Sequence, residues 1–208
     1  MKVLCFASQK GGSGKSTLAA SVAVAAQQAG ERAVVVDLDP QGSLAEWGRT
    51  REAKGIIFRE IQPAALVRWI ADTRKIKGVS LVILDTAGTF GPEVDTALKQ
   101  SDFILVPVRP SALDLRAARP TVERIEALKR RFGFVLNATN PVTQGRTADA
   151  LAALEAGGVV APPVADRTDF RDAAASGLGV TEINPTGKAA AEIVALWEWT
   201  KAQMETTA

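Results

Sequence analysis

Lys10-Gly11-Gly12-Ser13-Gly14-Lys15-Ser16-Thr17 is the stretch whose residue types and spacing point most specifically to chemistry. It follows an apolar run of strand character and opens a helical pattern. Glycines lacking a Cβ let successive backbone N–H groups turn inward as an anion-binding nest, and the helix N-terminus adds partial positive charge. Lys15 would reach the β- and γ-phosphates of a nucleotide, and the Ser16 hydroxyl would ligate magnesium. A glycine-rich turn can also be a plain strand-to-helix connection. Gly-Lys-Ser at the helix start is what favours a phosphate cradle, with Gly11, Gly12, Ser13, Gly14 and Thr17 around the anion.

The remaining candidates are carboxylates. Asp39 and Asp85 stand where apolar strands end, the edge at which open α/β sheets bind ligands. An aspartate before proline or threonine is on its own more often a turn or a helix cap; the neighbouring phosphate loop shifts the reading. The chain has no histidine, no tyrosine and one cysteine, Cys5. Imidazole bases, internal disulfides, cysteine zinc sites and iron–sulfur cradles are thereby excluded. An aspartate is the familiar type of base left that is ionised at neutral pH.

Such residues need a scaffold that brings strand ends together. Short β-branched or apolar runs at 2–7, 33–38, 81–84, 103–108 and 132–137 alternate with helical patterns at 14–29, 43–51, 63–72, 92–100, 113–131, 147–156 and 188–203. Fully apolar strands alternating with helices imply an α/β fold: a doubly wound, mostly parallel sheet with helices on both faces, as in P-loop NTPases. Gly30 can end the first helix, while Pro110, Pro141 and Pro185 fall in loops. Pro120 is expected to kink or restart the helix around it. With 47% apolar and 23% charged residues and no internal repeat, the 208 residues read as one globular domain, 1–208.

The motifs together resemble the ParA/MinD family of deviant Walker A ATPases. Lys10 to Ser16 match its KGGxGK[ST] signature, with Gln9 where the general phosphate-loop pattern has glycine. The resemblance implies that Lys10 reaches across a nucleotide-sandwich homodimer, formed on ATP binding, to the other protomer's phosphates. Read from the residues alone, Lys10 has no evident target in its own site, and a solvated surface lysine is the alternative. Leu81 to Asp85, followed by Thr86-Ala87-Gly88, resembles a Walker B strand and its switch; Asp85 then holds magnesium through water. Val34 to Ser43 resembles the DxDPQ switch I, in which Asp39 positions the attacking water beside the metal and Asp37 supports it, bonding to the phosphate loop or the metal's waters. Ile104 to Asp114 resembles the VPVxPSxLD strand and loop of the dimer interface. Asn137 matches the asparagine that reads the adenine edge, although an asparagine capping a turn explains it too. Val164 to Phe170 resembles the loop that closes over the base. The implied chemistry is in-line attack of water on the γ-phosphate of Mg-ATP, with Mg2+, Lys15 and Lys10 spreading the developing charge.

Nine residues before Lys10 leave no room for an N-terminal helix-turn-helix, which resembles the small partition subtype, as does Trp47 after DPQGSLAE. Formal charge is only +2, yet the segment 109–131 carries Arg109, Arg116, Arg119, Arg124, Lys129, Arg130 and Arg131 against Asp114, Glu123 and Glu126. With Arg167, Arg171 and Lys188, this is the expected face for DNA bound without sequence preference; a solvated helix face is the alternative. No run of about 18 apolar residues exists, and the tail 201–208 has one cation and no apolar face, unlike a membrane-binding tail. The expectation is a cytoplasmic, nucleoid-associated ATPase for plasmid or chromosome partition, slow until stimulated by a small ParB-like, centromere-binding protein, with no membrane role. The rivals are a small-molecule synthetase or kinase on the same scaffold, a positioning ATPase for a protein cargo, and a nucleotide-gated scaffold that does not hydrolyse.

Overall fold

The computed structural model describes residues 1–206; Thr207 and Ala208, which end the tail 201–208, lie outside the described residues. Six strands form one sheet: β1 (Lys2–Phe6), β2 (Ala33–Asp37), β3 (Ile57–Glu60), β4 (Leu81–Asp85), β5 (Phe103–Val108) and β6 (Phe132–Leu136), in the order β3-β2-β4-β1-β5-β6. Every pairing is parallel. The helices are α1 (Lys15–Gln28), α2 (Ser43–Thr50), α3 (Leu66–Thr73), α4 (Pro92–Gln100), α5 (Ala112–Ala127), α6 (Gln144–Glu155), α7 (Thr168–Ala175), α8 (Val180–Ile183) and α9 (Lys188–Glu205).

Strand side chains alternate between the sheet faces, and both faces are covered. Leu4, Phe6, Val35, Ile83 and Leu105 pack with α1, α8 and α9 through Val22, Val180, Ile193 and Trp197. Val3, Cys5, Val34, Val36 and Leu84 pack on the other face with Leu66, Val94 and Ile125 of α3, α4 and α5. Register then assembles the site. Asp85 ends β4 opposite Phe6 of β1 on one side and Asp37 of β2 on the other. The phosphate loop leaves β1 beside two carboxylates already aligned at the sheet's C-terminal edge.

Several elements differ from expectation. β3 is an edge strand bound only to β2 and mostly exposed, so Ile57–Glu60 lacks the apolar run that marks the buried strands. The expected helix from Pro63 divides into a 3-10 turn, Pro63–Ala65, and α3. α5 stops at Ala127, and Lys129 has φ 53°. Pro120 neither ends nor restarts α5; Arg116 and Pro120 are both exposed, so water can serve the carbonyl that proline leaves unbonded. Trp197 is buried, and half-buried Trp199 reaches the same cluster from its flank, edge-on to Phe103 at 5.9 Å.

Candidate functional site

The phosphate loop takes its shape from left-handed glycines. Gly12 has φ 74°, and Gly14, the residue before α1, has φ 97°. A Cβ on Gly14 would meet the Asn137 side-chain amide, and the positive φ strains any side chain there, so glycine suits the point where β6 meets the loop. Ser13 is held from the same side, its carbonyl accepting from Asn137 Nδ2 at 2.8 Å. From α5, Thr121 Oγ1 accepts from the Gln9 N–H at 3.1 Å. No sequence signal marked Thr121, because its partner lies 112 residues away.

A cavity of about 650 Å³ opens over this loop, lined by Gly11, Gly12, Lys15, Ser16, Thr17 and Asp39, and closed opposite by Ala87, Gly88 and Thr89. Lys15 is 7% exposed. A Cβ on Gly88 would lie 3.6 Å from the Gly11 nitrogen and 3.8 Å from Lys15 Nζ, so the segment after β4 passes close over the loop. Asp85 is fully buried, and among the described residues neither carboxylate oxygen has a hydrogen-bond partner. Burial pushes its carboxyl up to about 7; the Ser16 hydroxyl and Lys15 ammonium pull it down, and the carboxylates of Asp37 and Asp39 push it up. A buried carboxylate with both oxygens unspent, beside a serine hydroxyl and a phosphate nest, fits magnesium and its waters. Ser16, Asp85 and Asp39 are therefore the residues that would hold the ion.

Asp37 supports Asp39 through the backbone. Its carboxylate accepts from Asp39 N–H at 2.9 Å and Ala45 N–H at 2.8 Å, so it shapes the turn that carries Asp39 and caps α2, rather than bonding to the phosphate loop. Burial raises its pKa, against the pull of those N–H groups. Asp39 is half-buried on the cavity wall, with Oδ1 accepting from Gln41 N–H at 3.0 Å.

A second cavity, of about 320 Å³, adjoins the first through Gly14 and Thr17, which line both. Asn137, Arg109, Asp166 and Phe170 wall it. Asn137 borders this cavity, with its amide nitrogen donating to the Ser13 carbonyl. The segment 164–170 does border this cavity, but it passes into α7, which composition alone did not reveal.

Lys10 leaves its own cavity. Its ammonium forms a salt bridge with Asp114, and its side chain is 41% exposed. Ser111 Oγ accepts from Asp114 N–H at 3.1 Å and caps α5, so the loop after β5 presents Asp114 to Lys10. Partial burial opposes ionisation of Asp114, but Lys10 and the Ser111 hydroxyl outweigh it and hold the carboxyl below its usual range.

The cationic residues divide into groups that the sequence does not distinguish. Arg167 and Arg171 border the smaller cavity; Arg167 is bidentate on Glu192, and Arg171 lies 3.7 Å from Asp166. Arg119 pairs with Glu123 at 2.7 Å and Arg124 with Asp95 of α4. Arg130 donates to the Ser101 carbonyl, and Arg131 to the carbonyls of Gln203 and Thr206. Arg116, Lys129 and Lys188 are exposed. No helix among the described residues is long and apolar enough to cross a membrane.

Residues 4–180 match the CobQ/CobB/MinD/ParA nucleotide binding domain. The chain is 30% identical over 208 aligned residues, 91% of each protein, to the maintenance of carboxysome distribution protein A of Halothiobacillus neapolitanus. It is 29% identical over 181 residues to the protein ParA of Rhizobium radiobacter, covering 82% of this chain and 81% of that one. The fold is shared with the septum site-determining protein MinD of Pyrococcus horikoshii complexed with Mg-ADP: TM-score 0.80, 15% identity, 96% and 95% of the two chains.

Proposed function

Because the chain belongs to the ParA/MinD family of P-loop ATPases, which act on ATP with magnesium, we propose that it is an ATP-driven positioning switch for DNA partition. Mg-ATP closes two copies into a sandwich dimer, the dimer binds DNA without sequence preference, and slow hydrolysis, stimulated by a small partner protein, releases it. Asp39 orients and deprotonates the attacking water, Lys15 and Lys10 neutralise the charge developing on the γ-phosphate, and the backbone nest holds the phosphate chain in line. Ser16, Asp85 and Asp39 would hold magnesium, which would supply Lewis-acid charge.

The observation that carries this reading is the placement of Lys10. A cation in the phosphate loop that turns away from its own cavity to Asp114 is available to a second protomer, whereas a small-molecule kinase or synthetase has no use for it. Lys10→Ala should bind ATP yet fail to dimerise or turn over, checked by light scattering and phosphate release. Full dimerisation and turnover in that variant would instead favour the small-molecule enzyme. The resemblance to a carboxysome distribution protein supports a second reading, in which the dimer on DNA positions a protein cargo. Co-purification of a DNA-binding centromere partner, as against a protein-assembly adaptor, separates the two.

A further inference from the structure

α2 is fastened at both ends, and the two fastenings lead to different cavities. At its start, the Asp37 carboxylate ties Asp39 and Ala45 into one rigid turn. At its far end, the Arg51 guanidinium grips Glu182 with both arms, Nη1 to Oε2 at 2.8 Å and Nη2 to Oε1 at 2.7 Å, and Nη1 also donates to the Gly177 carbonyl at 3.0 Å. Trp47 Nε1 donates to the Leu178 carbonyl at 3.0 Å, and its ring lies under the Arg51 guanidinium, 5.3 Å from Cζ to centroid. Gly177 has φ +64°, and a Cβ there would stand 2.6 Å from Arg51 Cα, so the two backbones touch.

The gripped segment, Gly177 to Glu182, directly follows α7, and α7 presents Phe170, Arg171 and Ala174 to the cavity beside Gly14. A continuous chain of packed groups therefore runs from that cavity through the α7–α8 corner and α2 to Asp39. The corner does not need Arg51 for its apolar anchoring, since Gly179 packs on Val24 of α1 and Ala173 and Val180 lie in the core. The Arg51 side chain is 4% exposed, and its Nε has no partner among the described residues. A buried ion pair with an unsatisfied donor is a poor source of stability compared with apolar packing, but a planar bidentate fork fixes orientation tightly.

We propose that Arg51, Glu182 and Trp47 are positioning residues that couple filling of the cavity beside Gly14 by a nucleotide base to the placement of Asp39, so that the base raises turnover as well as affinity. This rests on the reading of Asp39 as the residue that orients the attacking water. The test compares steady-state hydrolysis of Mg-ATP with that of magnesium tripolyphosphate, which reaches the phosphate loop but leaves the base cavity empty. In the wild-type protein kcat should be at least about tenfold higher with ATP; in Glu182→Gln and Trp47→Phe that ratio should fall towards one while ATP affinity stays within about threefold. Trp47 emission, taken as the difference between wild type and Trp47→Phe, should change with ATP and not with tripolyphosphate. Trp47→Phe keeps an aromatic ring and loses the N–H, so it remains a folded test should Glu182→Gln unfold, which a melting curve shows. An unchanged ATP-to-tripolyphosphate ratio in the folded variants overturns the coupling. Asp39→Ala is run beside them: its loss of turnover with an unchanged ratio in the other variants rejects the coupling alone, and its retained turnover rejects the Asp39 reading as well.

Discussion

Asp39 lines the cavity and commits Oδ1 to the Gln41 N–H, while no bond is made to Oδ2 among the described residues, which leaves that oxygen as the proton acceptor. Replacing it removes a general base without disturbing the nest. Asp39→Ala should retain ATP binding and lose about 10²–10⁴ in hydrolysis rate, measured as single-turnover phosphate release. Gly14 makes a different demand, because its φ of 97° and its contact with Asn137 both work against a side chain. Gly14→Ala should abolish nucleotide binding in equilibrium dialysis, and the left-handed backbone alone should cost about 1–2 kcal/mol in a melt. These residues were legible from spacing because the chemistry is local: a phosphate nest needs consecutive glycines, and a lysine at the helix start has nowhere else to point. Thr121 was not legible, since a threonine within an ordinary helix gains its role only when α5 folds over Gln9.

At the scale of elements, α2 and the α7–α8 corner show how a charge can link segments that sequence reading leaves separate. Partial burial works against ionisation of Glu182, yet the Arg51 fork and the Gly179 N–H outweigh it and hold its carboxyl below the ordinary 4.5. With a depressed folded value, the stabilisation is complete above pH 4.5 and is lost as pH falls through the lower folded value. Glu182→Gln removes that dependence. The melting-temperature gap between wild type and Glu182→Gln should therefore be widest near neutrality, begin to narrow as pH drops below 4.5, and close only below the lower folded value; a gap independent of pH would exclude the linkage. The strands β1, β2, β4, β5 and β6 were readable as unbroken apolar runs because both of their faces are covered. β3 and α7 were not. An edge strand keeps polar residues towards water, and α7 has eight residues, of which Ala173 is the buried one, too few apolar positions for a helical stripe.

For the whole molecule, net charge matters less than where the cations end up. Arg119 and Arg124 pair with carboxylates, Arg130 and Arg131 donate to backbone carbonyls, and Arg167 and Arg171 border the smaller cavity, which leaves the exposed Arg116, Lys129 and Lys188, among the described residues, as the first groups for the proposed DNA binding. Removing one cation that pairs with a DNA phosphate should flatten the salt dependence by roughly 0.9 in log K against log salt, so Arg116→Ala with Lys129→Ala should reduce the slope by roughly 2 and leave ATP turnover without DNA unchanged. Titration of ATP-bound protein against random-sequence duplex at several salt concentrations reads this directly. A slope identical to wild type would move the DNA face elsewhere.

The sequence by itself determined the α/β class, the phosphate loop, the aspartates at strand ends and the family, because each depends on neighbours a few residues apart whose conformations are dictated by glycine, proline and apolar periodicity. Only the tertiary structure decided that Asp37 holds the Asp39 turn, that Lys10 rests on Asp114, that two of the arginines expected at DNA border the cavity beside Gly14, and that Arg51 reaches Glu182. Most of these pair a charge with a group far along the chain. Charge carries no periodicity, so its partner is set by strand order and register once the sheet has closed.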